Sequence, residues 1–222
     1  MGVLPGPANT GRLTGEQAAL RRVATLVARG APPEEVFAAI TAETGQLLDA
    51  DYATMARYAP DGMRTVVAAW SSTGRPAYPV GTQTRLGGRN ATTLVFQTGR
   101  AARIDDLTDA SGPVAAARRG TGIRATVGVP IRVEGGLWGV MIVLSRVGPL
   151  PAGTEKQLAG FTELAATAIA NAEARVELRG FAEEQAALRR VATLVAQGRR
   201  RRKSSPRSPR NPGGCFMPTT RR

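Results

Sequence analysis

The chain has 222 residues, 42% of them hydrophobic but only 5% aromatic, with no histidine and a single cysteine, Cys215. That composition suits one full domain with a sizeable core plus something partial. It excludes Ser-His-Asp and Cys-His catalysis, histidine-held metal or haem, a Cys-rich zinc site and an intrachain disulfide. The net charge of +13 is concentrated at one end: residues 199–222 carry nine Lys or Arg and no acid, leaving 21 basic against 17 acidic side chains, +4, for the rest.

Residues 1–14 are rich in Gly, Pro and Asn without periodicity, which predicts a disordered leader, and they lack the basic-then-apolar layout of a secretion signal. From Glu16 onward, Leu20, Val23, Leu26 and Val27 recur at helical spacing until Gly30, Pro32 and Pro33 stop the helix. A second helix is expected from Pro33 to Leu48, with Val36, Phe37, Ile40, Leu47 and Leu48 on one side. The period then changes. Tyr52–Tyr58 and Arg64–Trp70 read as strands joined through Ala59-Pro60-Asp61-Gly62. Residues 71–89 are turn-rich and expected to form a loop. A short helix is predicted over Ala91–Gln97, ended by Gly99, then a short strand at Ala102–Ile104 and a helix around Val114–Arg119 after the Asp105-Asp106 turn.

The clearest strand is Ala125–Val133, where Val127, Val129, Ile131 and Val133 alternate with Thr126, Gly128, Pro130 and Arg132. Pro130 has no donor N–H, so an irregularity or a locally unpaired edge is expected there. Glu134-Gly135-Gly136 is the turn, and Leu137–Leu144 is apolar on both faces, as a covered central strand should be. A long helix follows over Thr154–Glu177, with a broad stripe through Leu158, Phe161, Leu164, Ile169 and Val176. The order of elements is α+β, an antiparallel sheet with flanking helices. The longest strongly apolar run, Leu137–Leu144, is far short of the roughly 20 residues a membrane-spanning helix needs. A soluble cytoplasmic protein with no membrane association is the expectation.

An internal repeat closes the pass. Residues 16–30 (EQAALRRVATLVARG) and 184–198 (EQAALRRVATLVAQG) agree at fourteen of fifteen positions, 168 residues apart. The natural reading is a connecting helix, 179–198, that runs into the start of a second domain copy. After Gly30 the first copy continues APPEEVFAA, whereas Gly198 is followed by RRRRKSSPRSPR. The genetic code permits codons for this stretch whose shifted reading returns to the first copy's pattern, so the basic disordered tail, 199–222, is expected to be a frameshift product. The alternative takes the tail at face value, as a basic segment that associates with nucleic acid through phosphates. With the second copy broken, Leu188, Val191, Leu194 and Val195 would form an uncovered apolar stripe, which predicts a homodimer through the C-terminal helix.

The segments TGIRATVGVPIRVEGGLWGVMIVLS (121–145), ARIDDLTD (102–109) and AATAIANAEARVEL (165–178) resemble a bacterial GAF domain, over about 16–178. The tandem arrangement is similar to the sensory half of actinobacterial-type two-component sensor histidine kinases. The resemblance implies a GAF domain at 15–178 with a sheet of about six strands, a small-molecule pocket on one face and dimerisation through terminal helices. It implies signal transduction without catalysis: neither a phosphoacceptor histidine nor an ATP-binding domain is present, and no enzyme activity is expected.

The pocket is expected between the sheet and the 86–124 excursion, edged by Trp70, Phe96, Asp105, Asp106 and Arg124. An apolar floor with a few convergent polar groups is what such a site needs. Each has a plainer reading: Trp70 and Phe96 as core, the two aspartates as turn or helix caps, Arg124 as a solvated strand-edge charge. Adjacent carboxylates usually point apart, so Asp105 and Asp106 are poor partners for acid–base chemistry. A covalent bilin needs a cysteine that residues 1–178 lack, and the phosphodiesterase cyclic-nucleotide signature is not recognisable. No metal and no cofactor are expected, and an uncharged or weakly polar small ligand, or none, remains. Asn90-Ala91-Thr92 fits a glycosylation sequon without a secretion signal, and Gly87-Gly88 and Gly135-Gly136 read as turn glycines.

Overall fold

Segments whose side chains alternate in sequence become strands: β1 (Tyr52–Tyr58), β2 (Met63–Ser71), β3 (Gln83–Arg85), β4 (Ala102–Ile104), β5 (Ala125–Val133) and β6 (Gly136–Ser145). In the computed structural model they form one antiparallel sheet in the order β3-β2-β1-β6-β5-β4. The structure describes residues 7–203, with side chains from Thr14 to Leu178 and at Glu183, Gln185, Arg189 and Arg190. Contacts divide the chain into two units, Met1–Arg175 and Val176–Arg222.

Turn chemistry sets the hairpins. Between β5 and β6, Glu134 (φ 50°) and Gly135 (φ 82°) both take the left-handed conformation, which matches the twist of the strands they join. Between β1 and β2, the Asp61 carboxylate accepts from the Met63 N–H at 3.0 Å. Pro130 pairs with Val140, and the register shifts one residue later, between Ile131 and Arg132. A second shift sits on the β1–β2 pair: Met55 faces Ala68 and Ala56 faces Val66, so Val67 is an extra residue in β2. A bulge of this kind moves the side chains beyond it to the other face.

One face carries the main core. Helices α1 (Pro7–Ala28), α2 (Pro33–Leu47) and the first part of α5 (Thr154–Lys203) cover it. Val23, Val36, Ile40, Leu158 and Phe161 are wholly buried there against Met55, Val127, Ile131 and Met141 of the sheet. Each such side chain contributes about 1.5–3 kcal/mol by leaving water. Arg22 of α1 forks onto the carboxylate of Glu43 in α2, and Arg175 of α5 donates to the Gly30 carbonyl at 2.9 Å. The other face carries α3 (Ala91–Thr98) and α4 (Gly112–Ala116), with Tyr52, Tyr58, Val66, Tyr78, Val95, Val140 and Ile142 in a second, smaller core.

Several expectations shift. Helix α1 begins at Pro7, inside the stretch read as a leader, and the expected loop 71–89 contains β3, paired to β2. Helix α4 spans Gly112–Ala116, earlier and shorter than 114–119. In the second unit the helix continues to Lys203, with Val176 and Leu178 exposed. The side chains of Leu188, Val191, Leu194 and Val195, and the tail from 204, lie outside the described residues. No helix among the described residues is long and apolar enough to cross a membrane.

Candidate functional site

The second core is not filled. Where β1, β2, β5 and β6 face α3 and α4, a small, partly enclosed chamber of about 20 Å³ remains, room for about one water. Its sheet side is Thr54 of β1, Arg64 of β2, Thr126 of β5 and Ile142 of β6; Asn90, Ala91 and Thr92 at the head of α3, with Val114 and Arg118 around α4, form the cover. Tyr78 and Leu107 complete the wall.

Local chemistry fixes the cover. Asn90 is the N-cap of α3, its side-chain oxygen accepting from the Thr93 N–H at 2.9 Å. Its amide group donates to the Gly87 carbonyl at 2.9 Å and to the Ser111 carbonyl at 3.2 Å, tying the start of the excursion to the residue that precedes α4. Gly112 sits so close to Gly87 that a Cβ there would collide with the Gly87 carbonyl. Tyr78 donates to the Val114 carbonyl at 3.1 Å, and Arg118 donates to the carbonyls of Ile123 and Leu107 at 3.2 and 3.3 Å. These bonds hold α4 down over the chamber.

Arg64 dominates the interior. Its side chain is 1% exposed and stacks over the Tyr78 ring with Cζ 4.6 Å from the centroid. Its Nε and Nη2 have no hydrogen-bond partner, and neither has the buried hydroxyl of Thr54. Among the described residues no other buried side-chain nitrogen or oxygen is left unpaired. All three orphan atoms belong to residues lining this one chamber. Burial pushes the Arg64 pKa down and those of Tyr58 and Tyr78 up. The lining holds two cations and no acid or thiol. It offers donors for binding but no group suited to abstract a proton or attack a substrate.

The sequence-predicted residues scatter. Trp70 packs on the opposite face, in the main core, its ring against Gly45 of α2, so it does not edge the chamber. The bulge at Val67 is the reason: it puts Ala68 and Trp70 on the helix side, while Arg64 and Val66 stay on the chamber side. Phe96 lies on the outside of α3, 38% exposed and edge-on to Tyr58 at 5.0 Å, and does not line the chamber. Asp105, Asp106 and Arg124 do come together, in an open depression of about 390 Å³ whose wall includes Leu107. There Asp105 pairs with Arg103 at 3.2 Å, and Asp106 accepts from the Thr108 N–H at 2.8 Å and from its hydroxyl. The Thr108 hydroxyl holds the Asp106 pKa below its ordinary value. The plainer reading of the two aspartates, as turn residues, describes this geometry. Sequence reasoning missed Arg64, Tyr78 and Thr54; a charged residue inside an alternating strand was the one signal that could have found the site.

The family model for the GAF domain matches residues 32–172. No curated protein matches the chain. Among solved structures, the phycoerythrobilin-bound GAF domain from a cyanobacterial phytochrome is 20% identical, with a TM-score of 0.58 over 72% of this chain and 96% of that one. The GAF domain of a phosphoenolpyruvate-protein phosphotransferase from Coxiella burnetii is 16% identical, with a TM-score of 0.59 over 74% of this chain and 98% of that one. Its counterpart from Acinetobacter is 14% identical, with a TM-score of 0.56 over 73% and 97%. At these identities the likeness is one of fold.

Proposed function

Because this chain belongs to the GAF domain family, a small-ligand-binding sensory and regulatory fold, we propose that it is a non-catalytic sensor whose ligand site is the small chamber under α3 and α4. One observation carries this reading. A folded domain does not leave buried donors unpaired without cost, and every such donor described here faces one chamber. The repeated segment at 184–198 supports a tandem sensory region of a cytoplasmic two-component sensor histidine kinase. The exposed Val176 and Leu178 support α5 as a dimerising connector to that output.

Thermal unfolding of the full chain against a panel of small metabolites tests the sensory role. At least one compound is expected to raise the midpoint in a concentration-dependent way; a panel without effect overturns it. Resequencing the gene across codons 190–230 and translating onward in all frames tests the kinase context. A second GAF copy followed by kinase domains is expected there, and an uninterrupted stop with nothing kinase-like beyond overturns it.

A further inference from the structure

Two surface arginines show what one edge of a guanidinium does in this protein. In Arg22 the Nε–Nη2 edge holds both oxygens of Glu43, and in Arg103 it holds both oxygens of Glu155, at 2.7 and 3.0 Å. In Arg64, whose side chain lines the chamber, no protein group meets that edge. Its two parallel donors match the spacing of two carboxylate oxygens. The Thr54 hydroxyl is a third unmet group in the same space. Arg118 adds a second positive charge to the wall while spending its own donors on backbone carbonyls. A buried cation whose counter-charge is missing is costly, and an anion in the chamber would remove that cost.

We propose that the chamber binds a small carboxylate, held by both Nε and Nη2 of Arg64 with the Thr54 hydroxyl as a further donor. This deepens the sensory reading and rests on it. It differs from the uncharged or weakly polar ligand, or none, expected from the sequence, because Arg64 is buried beside the chamber. The free space of about 20 Å³ is on the scale of one water, so the ligand is restricted to the smallest carboxylates, formate before acetate, and the cover has to yield to admit either. The lowered pKa of Arg64 points the same way, as the mark of a charge without compensation.

The test is thermal unfolding of the full chain in chloride-free buffer at constant ionic strength, titrated with formate and acetate. Acetamide, nitrate and phosphate are the other arms. Formate or acetate is expected to raise the midpoint progressively with the logarithm of concentration, and acetamide at equal concentration to leave it unmoved. Arg64→Met is expected to abolish the response. Arg64→Lys, which keeps the charge but loses the fork, should weaken the apparent affinity by about tenfold or more. Arg124→Met, in the open depression, should leave the response unchanged. If Arg64→Met does not fold, the Arg64→Lys comparison decides. A response that survives in both Arg64 variants, disappears in Arg124→Met, or is stronger for nitrate or phosphate overturns the proposal. Stabilisation by neutral molecules without any carboxylate effect overturns it too, and leaves the sensory reading standing. No stabilisation by any of these compounds overturns the carboxylate proposal, and the sensory reading falls with it only if the metabolite panel is also without effect.

Discussion

Asn90 shows how much one side chain can do for a cover. It caps α3 and donates to two carbonyls from separate turns. Losing the cap costs about 1 kcal/mol, and stranding partly buried carbonyls adds about 1–3 kcal/mol. Asn90→Ala is therefore expected to lower stability by about 2–4 kcal/mol, read from urea unfolding. Asn90→Asp keeps the acceptor and loses the donors, so it should fall in between. The buried phenols make a separate prediction. Burial raises the pKa of both Tyr58 and Tyr78 above the ordinary value of about 10. Above that value the unfolded chain releases these protons while the folded domain keeps them, so stability falls as pH rises. The contribution is fully present below about pH 10. Comparing wild type with Tyr58→Phe isolates one phenol: the variant's stability should decline less steeply above pH 10, by up to about 1.4 kcal/mol per pH unit.

At the scale of elements, the sequence was legible wherever periodicity and turn residues agreed. The β5–β6 hairpin, the short β4 and the long α5 follow from Val127, Val129 and Ile131, from the Glu134-Gly135 turn and from the Leu158–Ile169 stripe. Helix α1 reaches back into the Gly- and Pro-rich stretch because Pro7 is well suited to a first turn. Trp70 leaves the chamber side of the sheet against the strict alternation that would put Arg64, Val66, Ala68 and Trp70 on one face. The inserted Val67 breaks that parity, and no local composition marks it. The Trp70–Gly45 contact created on the far side is testable. In an open helix Gly→Ala gains about 1 kcal/mol, but here a Cβ would collide with the indole ring, and overpacking costs about 1–3 kcal/mol. Gly45→Ala is expected to be net destabilising, and Trp70→Leu in the same chain should reverse the sign of the Gly45→Ala effect. A double-mutant cycle in urea measures this coupling.

For the whole molecule, α5 leaves Val176 and Leu178 exposed at 69% and 67%, where the second unit begins. Sedimentation velocity across a concentration series is expected to show a dimer, and Val176→Glu with Leu178→Glu should shift it toward monomer. Charge alone would instead give salt-sensitive association, which raising the ionic strength exposes. The closed cover has its own consequence, in time rather than in energy. A cleft open to solvent fills at a rate proportional to ligand concentration. If the chamber is the ligand site, with its cover held by the Tyr78–Val114 bond and by Arg118, it would fill only while α4 is lifted. Its filling rate should therefore level off at high ligand concentration, at the frequency with which the cover opens, and stopped-flow mixing would reveal that plateau. On that reading the domain would act as a low-pass filter, reporting the prevailing level of its signal and missing pulses shorter than the interval between openings.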